Sequence, residues 1–220
     1  MNPKSPRNPL LLTLYTQYLD DQDSVAFTRG AAAHYTPGTL ERLAGDLRRE
    51  IRRAAVLALG FLGDYGANHT LGLALLDPDR SVRLLADNGI REVWCRAGQR
   101  QQRRQLALCK RLNEARQYDR AADNAARLID EAPWFAEAWH QRAAARFHLG
   151  RYADAVRDFH ETLELNPYHF VAAASMGRAQ VELNDLVSAL ESFRRALRLN
   201  PDLEGVRIQV VRLARLVEDA

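Results

Sequence analysis

Residues 136–203 contain one unit written twice. When the sequence is slid against itself, Leu149 falls on Leu183, Ala155 on Ala189, Phe159 on Phe193 and Leu163 on Leu197, and Asn166-Pro167 falls on Asn200-Pro201. Apolar residues at helical spacing, closed by a proline at a period of about 34 residues, describe a helix–turn–helix unit. Such a unit cannot cover its own apolar face, so copies must stack on one another. The period reaches back less cleanly, with Tyr118, Ala121, Ile129 and Pro133 one repeat before Tyr152, Ala155, Leu163 and Pro167. Three units follow, 102–135, 136–169 and 170–203, with a last helix over 204–217 whose Arg207, Arg212, Arg215 and neighbouring Glu218 suit a solvating end.

Each unit follows one packing plan. Small residues stand where two helices cross: Cys109, Ala143 and Gly177 on the first helix, Ala121, Ala155 and Ala189 on the second. Larger side chains, Trp139, Tyr152, Phe159, Leu186 and Phe193, fill the space between. The Asn-Pro pairs stop each second helix, because the residue before proline is driven out of the helical region.

The segment before these units repeats with another, shorter period. It aligns Leu40 with Leu71, Asp46 with Asp77, Ile51-Arg52 with Val82-Arg83, Ala55 with Ala86 and Leu59 with Ile90. Upstream, helices are expected from Pro9 to Leu19, with Asn8 as its cap, and from Ser24 to Tyr35, where Thr36-Pro37-Gly38 breaks the chain.

The longer unit resembles the tetratricopeptide (TPR) repeat. The shorter unit resembles the short HEAT repeat of phycobilisome-lyase-type proteins, whose hallmarks are an interhelix aspartate, a Val-Arg pair and an alanine. The combination is similar to a group of bacterial HEAT/TPR proteins. The resemblance implies an all-α, right-handed α-solenoid: a flexible tail over 1–8, HEAT-like helix pairs over 9–97, and a TPR array with its capping helix over 98–220. It also implies that the Asp and Arg of neighbouring HEAT units bridge as a ladder. With no Gly/Ser or Pro linker between the two parts, they are expected to stack as one body.

The composition narrows function more by exclusion. Hydrophobic content of 47% and charged content of 27% fit a soluble globular chain rather than a disordered one, and no alternating Val/Ile/Thr stretch predicts a sheet. The net charge is +3, carried almost wholly by arginine, which by itself falls short of a nucleic-acid binder's. Cys95 and Cys109 form no metal framework and read as reduced thiols. The apolar run Leu10–Tyr15 is too short to span a bilayer and is followed by Asp20, Asp21 and Asp23 rather than a cleavage site, giving a cytoplasmic reading with no membrane association. His34, His69, His140, His148, His160 and His169 show no HExxH-type spacing, so they read as surface or groove residues, with no metal and no cofactor. No phosphate loop or nucleophile elbow is present, and an enzyme of bilin-lyase type, brought in only by the HEAT resemblance, ranks third.

Two binding surfaces remain. In a TPR array the first helices line the inner groove, which nominates Arg103, Leu106, Lys110 and Asn113, then Glu137, His140, Ala144 and His148, then Val171, Ala174, Arg178 and Glu182. Lys110, Ala144 and Arg178 stand one repeat apart in a single row. Of the carboxylate clamp of chaperone-binding relatives only Lys110 matches, while Gln141 and Ser175 depart from it. The leading reading is therefore a non-catalytic adaptor or scaffold that binds a protein or peptide segment, of acidic character by preference, in the groove. The alternative uses Arg96, Arg100, Arg103, Arg104, Lys110 and Arg111, a basic strip without an acid, to bind nucleic acid or another anionic surface. The competing explanation is that those arginines pair with Asp119, Asp123, Asp130 or Glu131. No motif encodes the partner's identity or an oligomeric state.

The packing plan is testable. Ala155→Leu or Ala189→Leu should overpack its helix crossing and lower stability by ~1–3 kcal/mol in urea unfolding.

Overall fold

The computed structural model describes residues 9–218, which form thirteen α-helices, one 3₁₀ turn and no strand. The expected tail over 1–8, with the Asn8 cap, lies outside the described residues. The chain divides into two compact units between Val93 and Trp94.

The first unit begins with α1 (Leu10–Asp21) and α2 (Ser24–His34). Pro9 stands just before α1, rather than in its first turn, and the Asp23 carboxylate caps α2 by accepting from the Val25 and Ala26 amides. Thr36-Pro37 ends α2 but also starts α3 (Pro37–Leu43), since Thr36 Oγ1 accepts from Thr39 N and proline suits a first helical position. The shorter period then holds helix for helix, α3 with α5 (Asn68–Ala74) and α4 (Arg49–Leu62) with the start of α6 (Arg80–Arg96). Ile51, Ala55 and Leu59, and their counterparts Val82, Ala86 and Ile90, are all buried.

Aspartates and arginines tie these helices together. Arg52 grips both Asp77 oxygens at 2.6 and 2.9 Å and donates to Asp46 O at 3.0 Å, while Arg53 grips both oxygens of Asp79. The Arg53 guanidinium holds the Asp79 carboxyl down at about 2. Two charges from the cluster Arg48, Arg49, Arg52 and Arg53 are thereby absorbed into structure.

The last turn of α6 belongs to the second unit. Trp94 lies flat on the His169 ring at 4.1 Å, and Cys95 packs beside the core of Leu106, Leu128 and Phe135. Three helix pairs follow: α7 (Arg100–Glu114) with α8 (Tyr118–Glu131), α9 (Ala136–His148) with α10 (Tyr152–Leu165), and α11 (Phe170–Glu182) with α12 (Leu186–Leu199). A final helix, α13 (Glu204–Glu218), stands where a fourth first helix would stand. Cys109, Ala143, Ala121, Ala155 and Ala189 are fully buried at the crossings, and a Cβ on Gly177 would come within 2.9 Å of the Phe193 ring. The solvating end expected of α13 is only partly polar. Arg207, Arg212, Arg215 and Glu218 are exposed, but so are Ile208, Val211 and Leu216. Among the described residues no helix is long and apolar enough to cross a membrane.

The turn inside each pair repeats atom for atom. Gln117 N donates to Leu112 O, Arg151 N to Arg146 O and Asp185 N to Gln180 O, each the long bond of a Schellman cap. The closing residue is left-handed every time: Arg116 at φ 57°, Gly150 at 73° and Asn184 at 59°. Glycine takes that conformation freely, asparagine tolerates it, and arginine meets a steric cost at its own Cβ. Arg116→Gly should therefore raise stability by about 0.5–1 kcal/mol, and Gly150→Ala should lower it by about 1 kcal/mol, both read from urea midpoints.

Candidate functional site

The first helices α9, α11 and α13 leave their uncovered faces toward a hollow of about 630 Å³ lined by Phe147, Arg178, Val181, Glu182, Leu203 and Arg212, among others. A smaller hollow of about 180 Å³ adjoins it, formed by Ala144, Phe147, His148, Phe159, Ser175 and Arg178. Phe147 and Arg178 belong to both. Of the groove candidates, His148, Arg178 and Glu182 meet here, as do Ala144 and Ala174. Arg212 joins them without having been a candidate, although it stands one repeat after Arg178 and extends the row Lys110, Ala144, Arg178.

Arg178 anchors the pair of hollows. Its Nη2 donates to Ser175 Oγ at 2.9 Å, and among the described residues it makes no ion pair. The surrounding protein reduces its hydration and draws its pKa below the usual arginine value. His148 stacks on Tyr118, ring centroids 4.6 Å apart, which fixes its plane at the rim.

Other candidates lie elsewhere. Leu106 is 1% exposed and packs with Leu128, Ile129 and Phe135, so it is core rather than groove, because its side of α7 faces α8. Lys110 is half-buried with its Nζ 3.5 Å from Cys95 Sγ. Asn113 donates from Nδ2 to Gln141 O and Oε1, both at 3.0 Å. Glu137 is 5% exposed and turned inward, and His140 is drawn in with it. The basic strip is also broken in two: Arg96 ends α6, while Arg100, Arg103, Arg104, Lys110 and Arg111 lie on α7.

The histidines are not all surface or groove residues, as their spacing suggests, because two of them enter a buried network. The Glu137 carboxylate faces His140 Nδ1 at 3.1 Å, Gln141 Nε2 at 2.8 Å and His169 Nε2 at 3.0 Å. Burial alone would raise the Glu137 pKa, but the facing imidazoles, His140 foremost, hold it well below the usual carboxylate range. The Ala172 amide donates to His169 Nδ1 at 3.0 Å, so the ring's proton sits on Nε2 and is given to Glu137. Burial drives the His169 pKa down to about 4, which keeps it neutral. Donor atoms of Glu137, His140 and His169 lie within 4.8 Å of one another. They nevertheless suit a metal poorly, because the free lone pair of His169 serves the Ala172 amide and the other nitrogen carries a proton. Two signals in the sequence point to the network: the Glu137-x-x-His140 spacing, and a histidine in the slot held by Phe135 and Leu203 in the neighbouring units.

The stacked helix pairs have counterparts among known proteins. Models of the family "Tetratricopeptide repeat" match residues 136–169 and 172–203. The chain carries TPR repeats. Among relatives, the Hsp70-Hsp90 organizing protein of Triticum aestivum is 30% identical over 105 residues, 43% of this chain and 18% of that protein. The SGT1 homolog of Bos taurus is 37% identical over 71 residues, 32% of this chain and 20% of that one. A TPR repeat-containing protein of Rhizobium etli is 26% identical over 138 residues, covering 63% and 67% respectively. This chain thus spans a fifth or less of the first two relatives. Among solved structures, the first TPR of Spaghetti (RPAP3), bound to the HSP90 peptide SRMEEVD, aligns at TM-score 0.50 and 23% identity, over 52% of this chain and 90% of that one, a likeness of fold.

The buried network sets a pH dependence. His169 has a lower pKa folded than unfolded, so the unfolded chain binds more protons between pH 6.5 and 4, and stability falls as pH drops through that window. The loss should approach about 3 kcal/mol, and His169→Gln should flatten it, read from urea midpoints at pH 7 and pH 4.5.

Proposed function

We propose that residues 94–220 bind an extended segment of a partner protein along α9, α11 and α13, with an acidic side chain of that segment held by Arg178. The observation that carries this is a cationic side chain shared by two adjoining hollows and in no ion pair among the described residues, although Glu182, Asp202 and Glu204 also line the larger one. Phe147, Val181 and Leu203 offer apolar seats on either side of it, and Arg212 lies in the larger hollow. The TPR relatives support a protein ligand, since one solved neighbour holds the peptide SRMEEVD.

The recognition differs from a terminal-carboxylate clamp. Gln141 is buried and engaged by Glu137 and Asn113, so it offers nothing to a chain terminus. The HEAT-like reading of the first unit rests on the shorter repeat, α3/α4 against α5/α6, and on the Arg52–Asp77 bridge. With it, the chain reads as a non-catalytic cytoplasmic adaptor joining repeat surfaces of two kinds.

The test is a peptide array of acidic segments, SRMEEVD included, each with a free or amidated C-terminus, probed with the full chain. Bound peptides should bind alike in both forms, and Arg178→Glu should weaken them at least tenfold by calorimetry. Absence of any saturable acidic peptide, or indifference to Arg178→Glu, overturns the reading.

A further inference from the structure

Exposed charge alone chooses no partner. Arg100, Arg103, Arg104 and Arg111 on α7 are exposed and make no ion pair among the described residues, and Glu131 instead accepts from Gln105, but charge of one sign suits any anion. The last helix carries a more specific surface. α13 packs on Ala189, Leu190 and Phe193 of α12 through Val206, Val210, Leu213, Ala214 and Val217. Its opposite face is open. Ile208 is 59% and Val211 52% exposed, and both line a trough of about 590 Å³ together with Glu204 and Arg215, all from α13 itself. Counting roughly 100° per residue, Glu204, Ile208, Val211 and Arg215 lie within about 60° of one another, at the alternating four- and three-residue spacing of a helix–helix seam.

The repeat shows what that face is shaped for. One repeat earlier, Glu204, Ile208, Val211 and Arg215 have Phe170, Ala174, Gly177 and Val181 as counterparts on α11. Gly177 faces the Phe193 ring of α12, which a short turn brings back antiparallel to α11. No helix among the described residues covers α13 in that way. The slot itself is altered. Where the other first helices have buried cysteine, alanine or glycine, α13 has Val211, so a ring cannot reach its backbone and an aliphatic seam stands there instead. Gly205 is a second departure. A Cβ on it would meet nothing within 4 Å, so no described neighbour requires glycine in a helical turn where alanine is more favourable.

We infer that α13 is a self-association surface, on which α13 of a second copy lies antiparallel about a two-fold axis. The stripe is self-complementary under that operation. It runs acid, apolar, apolar, base, and the turned copy presents base, apolar, apolar, acid. Ile208 then meets the partner's Val211, and Glu204 meets the partner's Arg215 at both ends of the seam. Arg215 makes no ion pair among the described residues, and Glu204 has only Arg207 at 3.5 Å. In the same register Arg212 lies over the partner's Gly205 and Arg207 over the partner's Ala214, so the flanking arginines do not face one another and the glycine leaves room for a long stem. Parallel pairing would instead set Glu204 on its own copy and Arg215 on its own copy. A partner of another sequence must match the order of charge and apolar residue, whereas a second copy does so by symmetry. A seam of ~16 Å is short for a permanent interface, so the pair should dissociate on dilution.

The experiment is sedimentation equilibrium of the full chain between roughly 5 and 500 µM, where a reversible monomer–dimer equilibrium should appear. Val211→Glu, which puts a charge in the middle of the seam, should leave only monomer. Glu204→Arg and Arg215→Glu should each weaken the dimer by about tenfold or more, since each sets like charges face to face at both ends. The double variant Glu204→Arg/Arg215→Glu restores opposite charges and should return the dimer to near its parental strength. All these positions are exposed, and circular dichroism verifies that the variants fold. A chain that stays monomeric throughout the range overturns the inference. So does a dimer that survives Val211→Glu, or a double variant as weak as the singles. Arg178→Glu separates this surface from the groove: it should leave the dimer unchanged while removing peptide.

Discussion

In the unit over 170–203 the first helix must let a ring from the second helix reach its backbone. At Gly177 the Phe193 ring lies where even a Cβ would collide, and fully buried alanine or cysteine serves the same slot in the other units. This close approach fixes how each first helix is rotated about its own axis. One side is committed to the partner helix, and the opposite side is left uncovered in every unit. The row Ala144, Arg178 and Arg212 follows from that rotation, because positions one repeat apart face the same way. The groove is therefore a by-product of core packing, and its chemistry varies without disturbing what holds the units together.

Inside the units, one slot shows how interchangeable the polar contents are. Arg146 donates to Asp158 at 2.7 Å, with Arg142 gripping both oxygens of the same carboxylate. One unit later, at the equivalent positions, Gln180 and Ser192 make a neutral hydrogen bond of 2.6 Å. A buried ion pair and a neutral bond fill the same space because the gain from opposite charges is largely offset by their desolvation. What the position keeps is a side-chain hydrogen bond between the two helices rather than charge. The Glu137 cluster obeys the same rule, with the carboxylate accepting from two rings and an amide.

What can be read from the sequence follows from what is periodic. Helix starts at Tyr118, Tyr152 and Leu186 and the buried alanines recur once per unit, so a shift of the sequence against itself reveals them. Contacts that break the period stay hidden. His169 bonds to Glu137 in the unit's other half, and neither has a counterpart of its kind in the next unit, where Val171 and Leu203 stand. Leu106 falls to the groove in a reading by spacing for a related reason. Rotating a helix by less than one residue's step exchanges groove and core, and spacing alone does not fix that phase. The arginine stripe is visible as composition, but whether acids from α8 quench it depends on side-chain reach.

The unit over α7 and α8 departs most from the repeat rule, and the departures are connected. It closes its turn with a left-handed arginine where its neighbours use glycine or asparagine. Its first helix carries uncompensated positive charge, and its repeat signature is the weakest of the three. In a stack where each unit touches only its neighbours, local cost stays local. The regular units over 136–203 can therefore supply the rigidity while the unit before them bears strain and self-repulsion. A stripe of like charges on one helix is unfavourable for the isolated fold and becomes favourable only when an anion covers it. The cost is concentrated in the unit whose exposed face carries the charge, which is the pattern expected where sequence is held by binding rather than by packing.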